Sequence, residues 1–267
     1  MDRREQRQAG AVAALVRRRD PDRFLTALFA PAERREVLLL LYAFNHELAR
    51  ARETVREPMM AMIRLQWWRE VVEGADRRHE LATPLGAALA DGRLARADLA
   101  AMVDAREAEA AAGIPTFADW RAYLRGTAGT LARAAGWALG AEGRTLDRIA
   151  TLGTAYGVAG QIRNVTALAG QGRCLLPGDL LAARGLTPDA CVARPDDARV
   201  SVVLAELAHW GRSLLAEAGG PLPRDMIAAA LPAVLARRDL RRATPALGPR
   251  RFGDRAAVLF AALRGTI

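Results

Sequence analysis

The sequence predicts an all-α fold, and two observations carry that prediction. Hydrophobic residues make up 51% of the chain, and much of that fraction is alanine and leucine, which favour helices over strands. Prolines and glycines cut the rest into helix-length segments and leave little room for a sheet. A length of 267 residues is ample for one substantial core. No internal repeat and no separating linker interrupts it, so residues 1–267 read as a single helical domain.

The elements follow in order. Residues 1–19 set a short apolar patch between arginines and have no cleavage site, which excludes a signal peptide and suits a basic amphipathic helix at a membrane interface. Asp20-Pro21 opens a short helix, and Pro31 opens the long one through "ERREVLLLLYAFNHELARARE", because proline's missing N–H is not needed in a first turn. Pro58 starts the next, closed by Gly74 where a helix C-terminus favours glycine. "TPLGAALADG" and "RADLAAMVDAREAEA" are shorter helices, and "TFADWRAYLRGTAGTLARAAGWALG" reads as one long one. Another runs from Arg144 to about Gly170; a loop and short helix follow, then helices over 196–218, 224–242 and "DRAAVLFAALRG".

Charge bounds the function. The formal net charge is +9, and every basic residue is arginine. Such an excess fits an anionic membrane surface, a phosphorylated ligand, nucleic acid, or plain compositional bias. No aromatic-interleaved basic stretch and no zinc-finger spacing is present, so nucleic acid is not expected as a partner. Two cysteines, Cys174 and Cys191, are too few for a disulfide framework and point to a reducing, cytoplasmic setting. The longest apolar runs, such as "VLLLLYAF", fall far short of the ~20 residues that span a bilayer. A soluble protein, or one resting on a membrane, is the expectation.

Four blocks bear on chemistry: "YAFNHELARARE", "RLQWWREVVEG", "YLRGTAGTLARAAGWALG" and "YGVAGQIRN…GRCLLPGDLLAARGL". In order and spacing they resemble the squalene/phytoene synthase family, from about Asp20 through "LPAVLARRDLRR". The resemblance implies a type I isoprenoid-synthase bundle around a deep apolar cavity. It also implies head-to-head joining of prenyl diphosphates, with magnesium held by two aspartate-rich motifs on facing helices. Magnesium is the Lewis acid that lets diphosphate leave, and carboxylates four residues apart on a helix face would hold it.

The carboxylates are missing. The first motif keeps Asn45 and Glu53, but its aspartate positions hold Ala49 and Arg50. The second keeps Gln161 and Asn164, while "VTALAGQ", with Leu168, contains no acid and is about a helical turn short. Neither motif is expected to bind metal. Glu53 and Glu57 are four apart, yet Glu57 precedes Pro58 and proline pushes its neighbour out of helical geometry. Arg50, Arg52, Arg163 and Arg173 are candidates to grip a phosphate or headgroup without metal, against the plainer reading of surface arginines. His46 has the chemistry of a base, but a lone histidine is more often simply satisfied; His79 and His209 lack ligand spacing. One ring of Trp67-Trp68 should enter the core, Cys174 reads as a small hydrophobe, and "GTAGT" (126–130) as helix packing.

Within the family, the chain is similar to a mitochondrial complex I assembly-factor branch that also lacks the aspartates, at Phe44, Asn45, Glu47, Leu48, Ala49, Arg64, Gln66 and Trp67. That similarity implies a catalytically silent protein, an assembly or lipid/isoprenoid-binding factor at a membrane with a respiratory-complex partner. The alternative is a divergent prenyltransferase acting on isoprenoid diphosphates. No cofactor is expected; Mg2+ belongs to the enzyme alternative alone.

Overall fold

A computed structural model describes residues 3–53, 57–110, 113–244 and 248–267, with side chains throughout except at residues 3–6 and 53. The described residues form helices and turns with two isolated β-bridges and no strand. Helix α1 spans Arg3–Arg19 and α2 Pro21–Ala27, where Asp20 caps the N-terminus by accepting from the Arg23 N–H at 3.0 Å. Helix α3, Ala32–Glu53, is the long apolar one, and α4 covers Pro58–Glu73. Glu57 is extended, as the following proline demands, and Gly74 closes α4 at φ 114°.

Helices α5 (Ala82–Ala90) and α6 (Arg96–Ala105) lead into a 3-10 turn, Arg106–Glu109. Helix α7 (Phe117–Leu124) then joins α8 (Thr130–Ala138) through a π-helical turn, Arg125–Gly129. The single long helix expected here is therefore one rod with a π turn in it. That turn holds the "GTAGT" glycines, and packing explains them. A Cβ on Gly126 would stand 2.6 Å from that of Ala105, and one on Gly129 2.5 Å from Thr154 Oγ1. Small residues let these helices approach as no larger side chain would.

Helix α9, Gly143–Ala169, lies at the centre of the bundle, packed against the π turn, α8, α12 (Ala198–Ala218) and α14 (Pro232–Arg242). Short helices α10 (Gly178–Ala182) and α11 (Pro188–Ala193) follow the loop after α9. The helix expected over 224–242 is broken into a 3-10 turn, α13 (Ile227–Ala230) and α14. Pro232 forces the break, since its ring cannot sit inside a helix. Helix α15, Phe252–Arg264, ends the chain with Gly265 at φ 69°.

One apolar cluster runs from Val12 on α1 to Ile267. Trp68 is buried while Trp67 is half-buried, the split expected from sequence. His79 rests edge-on against both rings and accepts the Leu81 N–H at 3.1 Å. The expectation for residues 1–19 needs correction. Val12 and Val16 are buried and α1 packs along α3, so the apolar side of this helix is spent on the core. Among its described side chains, those left exposed are arginines and alanines.

Candidate functional site

Asn45 is buried on α3, and half-buried Ala49 lies one turn further on. The 3-10 turn after α6 carries Arg106 toward them. Its Nη2 donates to Asn45 Oδ1 at 3.0 Å, and its Nη1 donates to Glu109. Glu109 collects two more donors: Tyr123 Oη on α7 at 2.6 Å, and Arg173, in the loop after α9, at 3.3 Å. The first-motif helix is thus tied to the second-motif loop by a chain of buried polar side chains.

Exposure decides what this network is worth. The Glu109 side chain is 6% exposed, Arg106 13% and Arg173 11%. Burial works against the charge on Glu109, yet Arg106, the Tyr123 hydroxyl and Arg173 outweigh it and hold the carboxyl below its usual range. Burial likewise opposes the charge on Arg106, and Glu109 restores it, raising the guanidinium pKa. The Tyr123 phenol is pushed up, first by burial and then by the adjacent Glu109 charge, so it stays a proton donor. Two guanidiniums and one carboxylate leave the cluster with a charge of about +1.

These residues do not fit magnesium. Mg2+ wants near-octahedral oxygen at about 2.1 Å with one or two free carboxylates. Here a guanidinium already occupies the amide oxygen of Asn45, and Glu109 is shared by two arginines and a phenol. Among the described residues no group of three or more His, Cys, Asp or Glu is placed to hold a metal. The Glu53 side chain lies outside the described residues.

The second-motif residues sit differently from one another. Gln161 is half-buried with an Oε1 that accepts no hydrogen bond, Asn164 is exposed, and Leu168 packs against the core. The four candidate arginines do not share one anion site. Arg50 pairs with Glu47 on its own helix at 3.1 Å, and Arg52 is half-buried on the last turn of α3. Arg173 belongs to the Glu109 cluster. Arg163 turns to Asp239 at 3.1 Å and to the Gly248 carbonyl at 2.8 Å. His46 is half-buried and His209 exposed. Cys174 and Cys191 are free thiols, the first half-buried and the second buried.

Arg163 and Asn164 line a cleft of about 800 Å3 with residues of α2, α14 and the segment before α15. Its lining residues Asp22, Tyr156, Arg163 and Arg250 belong to a second network. Asp239, 1% exposed, accepts from Arg163 and Arg250, and Arg250 continues to Asp22 at 2.8 Å. Tyr156 donates to Asp22 at 3.1 Å, and the Arg23 guanidinium lies over the Tyr156 ring at 4.8 Å. Arg17, Arg19 and Arg255 stand along the same cleft with Phe24, Leu25 and Leu28. Beneath it, between Arg23, Tyr42, Gly153 and Tyr156, a void of about 10 Å3 has room for about one water.

Sequence reasoning missed Arg106, Glu109, Asp22, Asp239 and Arg250. The partners are far apart in the chain, 64 residues for Glu109 and Arg173 and 228 for Asp22 and Arg250. Tyr123 and Tyr156 did stand inside the blocks that carried the resemblance. An acid with no metal-ligand neighbour was the available signal, and it marks structural ion pairs equally well.

The all-α bundle has the fold of solved isoprenoid synthases. The chain superimposes on the crystal structure of a dehydrosqualene synthase in complex with ligand at a TM-score of 0.76, covering 97% of this chain and 96% of that one at 15% identity. It also superimposes on squalene synthase HpnC from Alicyclobacillus acidocaldarius, at a TM-score of 0.68, 99% and 97% coverage and 19% identity. At such identities the likeness shows the fold alone. The squalene/phytoene synthase family model matches residues 16–257, and the chain belongs to that family.

Two curated relatives are named NADH dehydrogenase (ubiquinone) complex I, assembly factor 6. The mouse protein is 27% identical over 227 residues, 83% of this chain and 68% of its own length. The human protein is 27% identical over 200 residues, 73% of this chain and 60% of its own length. The matched region therefore spans about three fifths to two thirds of those relatives.

Proposed function

We propose that this protein is a non-catalytic member of the squalene/phytoene synthase family that serves as an assembly factor for a complex I-type respiratory enzyme. One observation carries the proposal: the buried chain Asn45–Arg106–Glu109–Arg173 runs between the two motif segments. An ionising diphosphate needs its developing charge neutralised by a metal held on free carboxylates. The acid in this network is committed to internal arginines. The names of the mouse and human relatives support the choice of assembly over catalysis.

The test has two arms. Purified protein incubated with farnesyl or geranylgeranyl diphosphate and magnesium should release no diphosphate above the buffer control. Multiple turnover would overturn the reading in favour of a divergent prenyltransferase. In the source cell, loss of this chain should lower NADH:quinone oxidoreductase activity in membranes without altering their polyprenoid products. Unchanged NADH oxidation would reject the assembly role.

A further inference from the structure

Helix α15 is apolar on two sides. Its inner side buries Val258 and the helix's one acid, Asp254, which accepts from Arg238 and from the Arg251 N–H. Its outer side leaves Phe252 87%, Leu259 46%, Phe260 60% and Leu263 63% exposed. Spacings of seven, eight and eleven from Phe252 put these four on one face of a helix with 3.6 residues per turn. Scattered exposed hydrophobes need no explanation, but a contiguous stripe of large ones on a soluble surface does.

The charges around the stripe identify what covers it. Arg251, Arg255 and Arg264 are exposed beside it, and no carboxylate on α15 reaches the surface. Arg255 falls between Phe252 and Leu259 on the same face and also lines the 800 Å3 cleft, where Arg17 and Arg19 stand. An apolar stripe of phenylalanine and leucine whose exposed charges on the same helix are all arginines, beside a cleft where Asp20 and Asp22 are paired with Arg23 and Arg250, suits the headgroup layer of an anionic bilayer. A second copy of the chain fits less well. At about 200 Å2 per large side chain, the four expose on the order of 500 Å2, short of the ~800 Å2 per partner of a standard interface. Facing arginines would also repel. No helix among the described residues is long and apolar enough to cross a membrane, so contact through α15 would be peripheral.

We propose that the outer face of α15, with the arginine-lined end of the cleft beside it, is the surface by which this protein docks on anionic lipid. The docking is independent of whether the interior is catalytic. It moves membrane contact from α1, whose Val12 and Val16 are in the core, to α15.

Vesicle co-sedimentation of the full-length protein tests it, using phosphatidylcholine vesicles with and without 30% phosphatidylglycerol. Wild type should partition onto the anionic vesicles at least about tenfold better than onto neutral ones, less so at high salt. Phe252→Ser with Phe260→Ser should lose about tenfold or more in partitioning with unchanged Tm, because both rings are exposed. Arg255→Gln with Arg264→Gln should lose the salt-sensitive part. A control, Met60→Ser with Ile63→Ser on the exposed start of α4, should bind as wild type. Undiminished binding by the α15 variants, loss of binding in the α4 control, or equal binding to neutral vesicles would overturn the proposal. So would a concentration-dependent dimer in sedimentation velocity that the phenylalanine variant abolishes, since a second copy would then own the face.

Discussion

Replacing Glu109 by glutamine removes one negative charge and little volume, and it strikes the network at its shared member. In the wild type the carboxylate faces Arg106, Arg173 and the Tyr123 hydroxyl, with the Glu109 side chain 6% exposed and both arginines below 15%. The amide leaves two buried guanidiniums without a counter-charge. Breaking a buried pair by removing one partner costs roughly 3–5 kcal/mol, a large share of the ~5–15 kcal/mol that holds a domain folded. A chain of this size loses about 2–4 °C per kcal/mol, so Tm should fall by roughly 6–20 °C at pH 7.

The pH dependence tests the cause. The Glu109 pKa is lower in the folded protein than its ordinary 4.5. The unfolded chain therefore takes up a proton first, and the stabilisation is present above pH ~4.5 and is lost as pH falls through the folded value. Urea unfolding followed by circular dichroism should show the gap between wild type and Glu109→Gln closing below pH 4. A loss under about 1 kcal/mol at pH 7, or a gap that stays constant into acid, would refute a stabilising role for the network.

Restoring acids tests the first motif. Ala49→Asp with Arg50→Asp should yield no magnesium-dependent diphosphate release, and calorimetry should find no stoichiometric magnesium site. The pair should also destabilise the protein, since the new carboxylates lie in the last turns of α3, where the helix dipole disfavours them by about 0.3–1 kcal/mol each. Glycine substitutions test the packing. Gly153→Ala puts a methyl against Ala132 and 2.8 Å from the Ala128 carbonyl and should cost about 1–3 kcal/mol in urea unfolding. Gly86→Ala, with nothing within 4 Å of its new methyl inside α5, should gain about 0.5–1 kcal/mol.

Several features were legible in the sequence because their causes are local. Asp20 before Pro21, Pro58 and Gly74 mark helix ends through the geometry of two or three neighbouring residues, and the structure has them there. The absence of aspartate at Ala49, Arg50 and Leu168 needed only the chain and the family resemblance. The break at Leu231-Pro232 is equally local, but the apolar pattern runs on through it and hides it.

The tertiary structure decided where the charges and the apolar faces went. Nothing in the spacing of Arg163 and Arg173 says that one turns to Asp239 while the other closes on Glu109. A coulombic pair depends on distance in space, and the chain reaches those distances only once the helices have docked. Hydrophobic periodicity has the same limit. It marks α1 and α15 alike as helices with an apolar side, but it does not say whether protein or solvent meets that side. Packing against α3 covers Val12 and Val16, whereas α15 buries Val258 and still presents Phe252 and Phe260 to the outside. The sequence by itself determined that there would be helices, a core and no aspartate-rich motif. Which arginines became structural, and which apolar surface stayed exposed, followed from how the helices pack around α9.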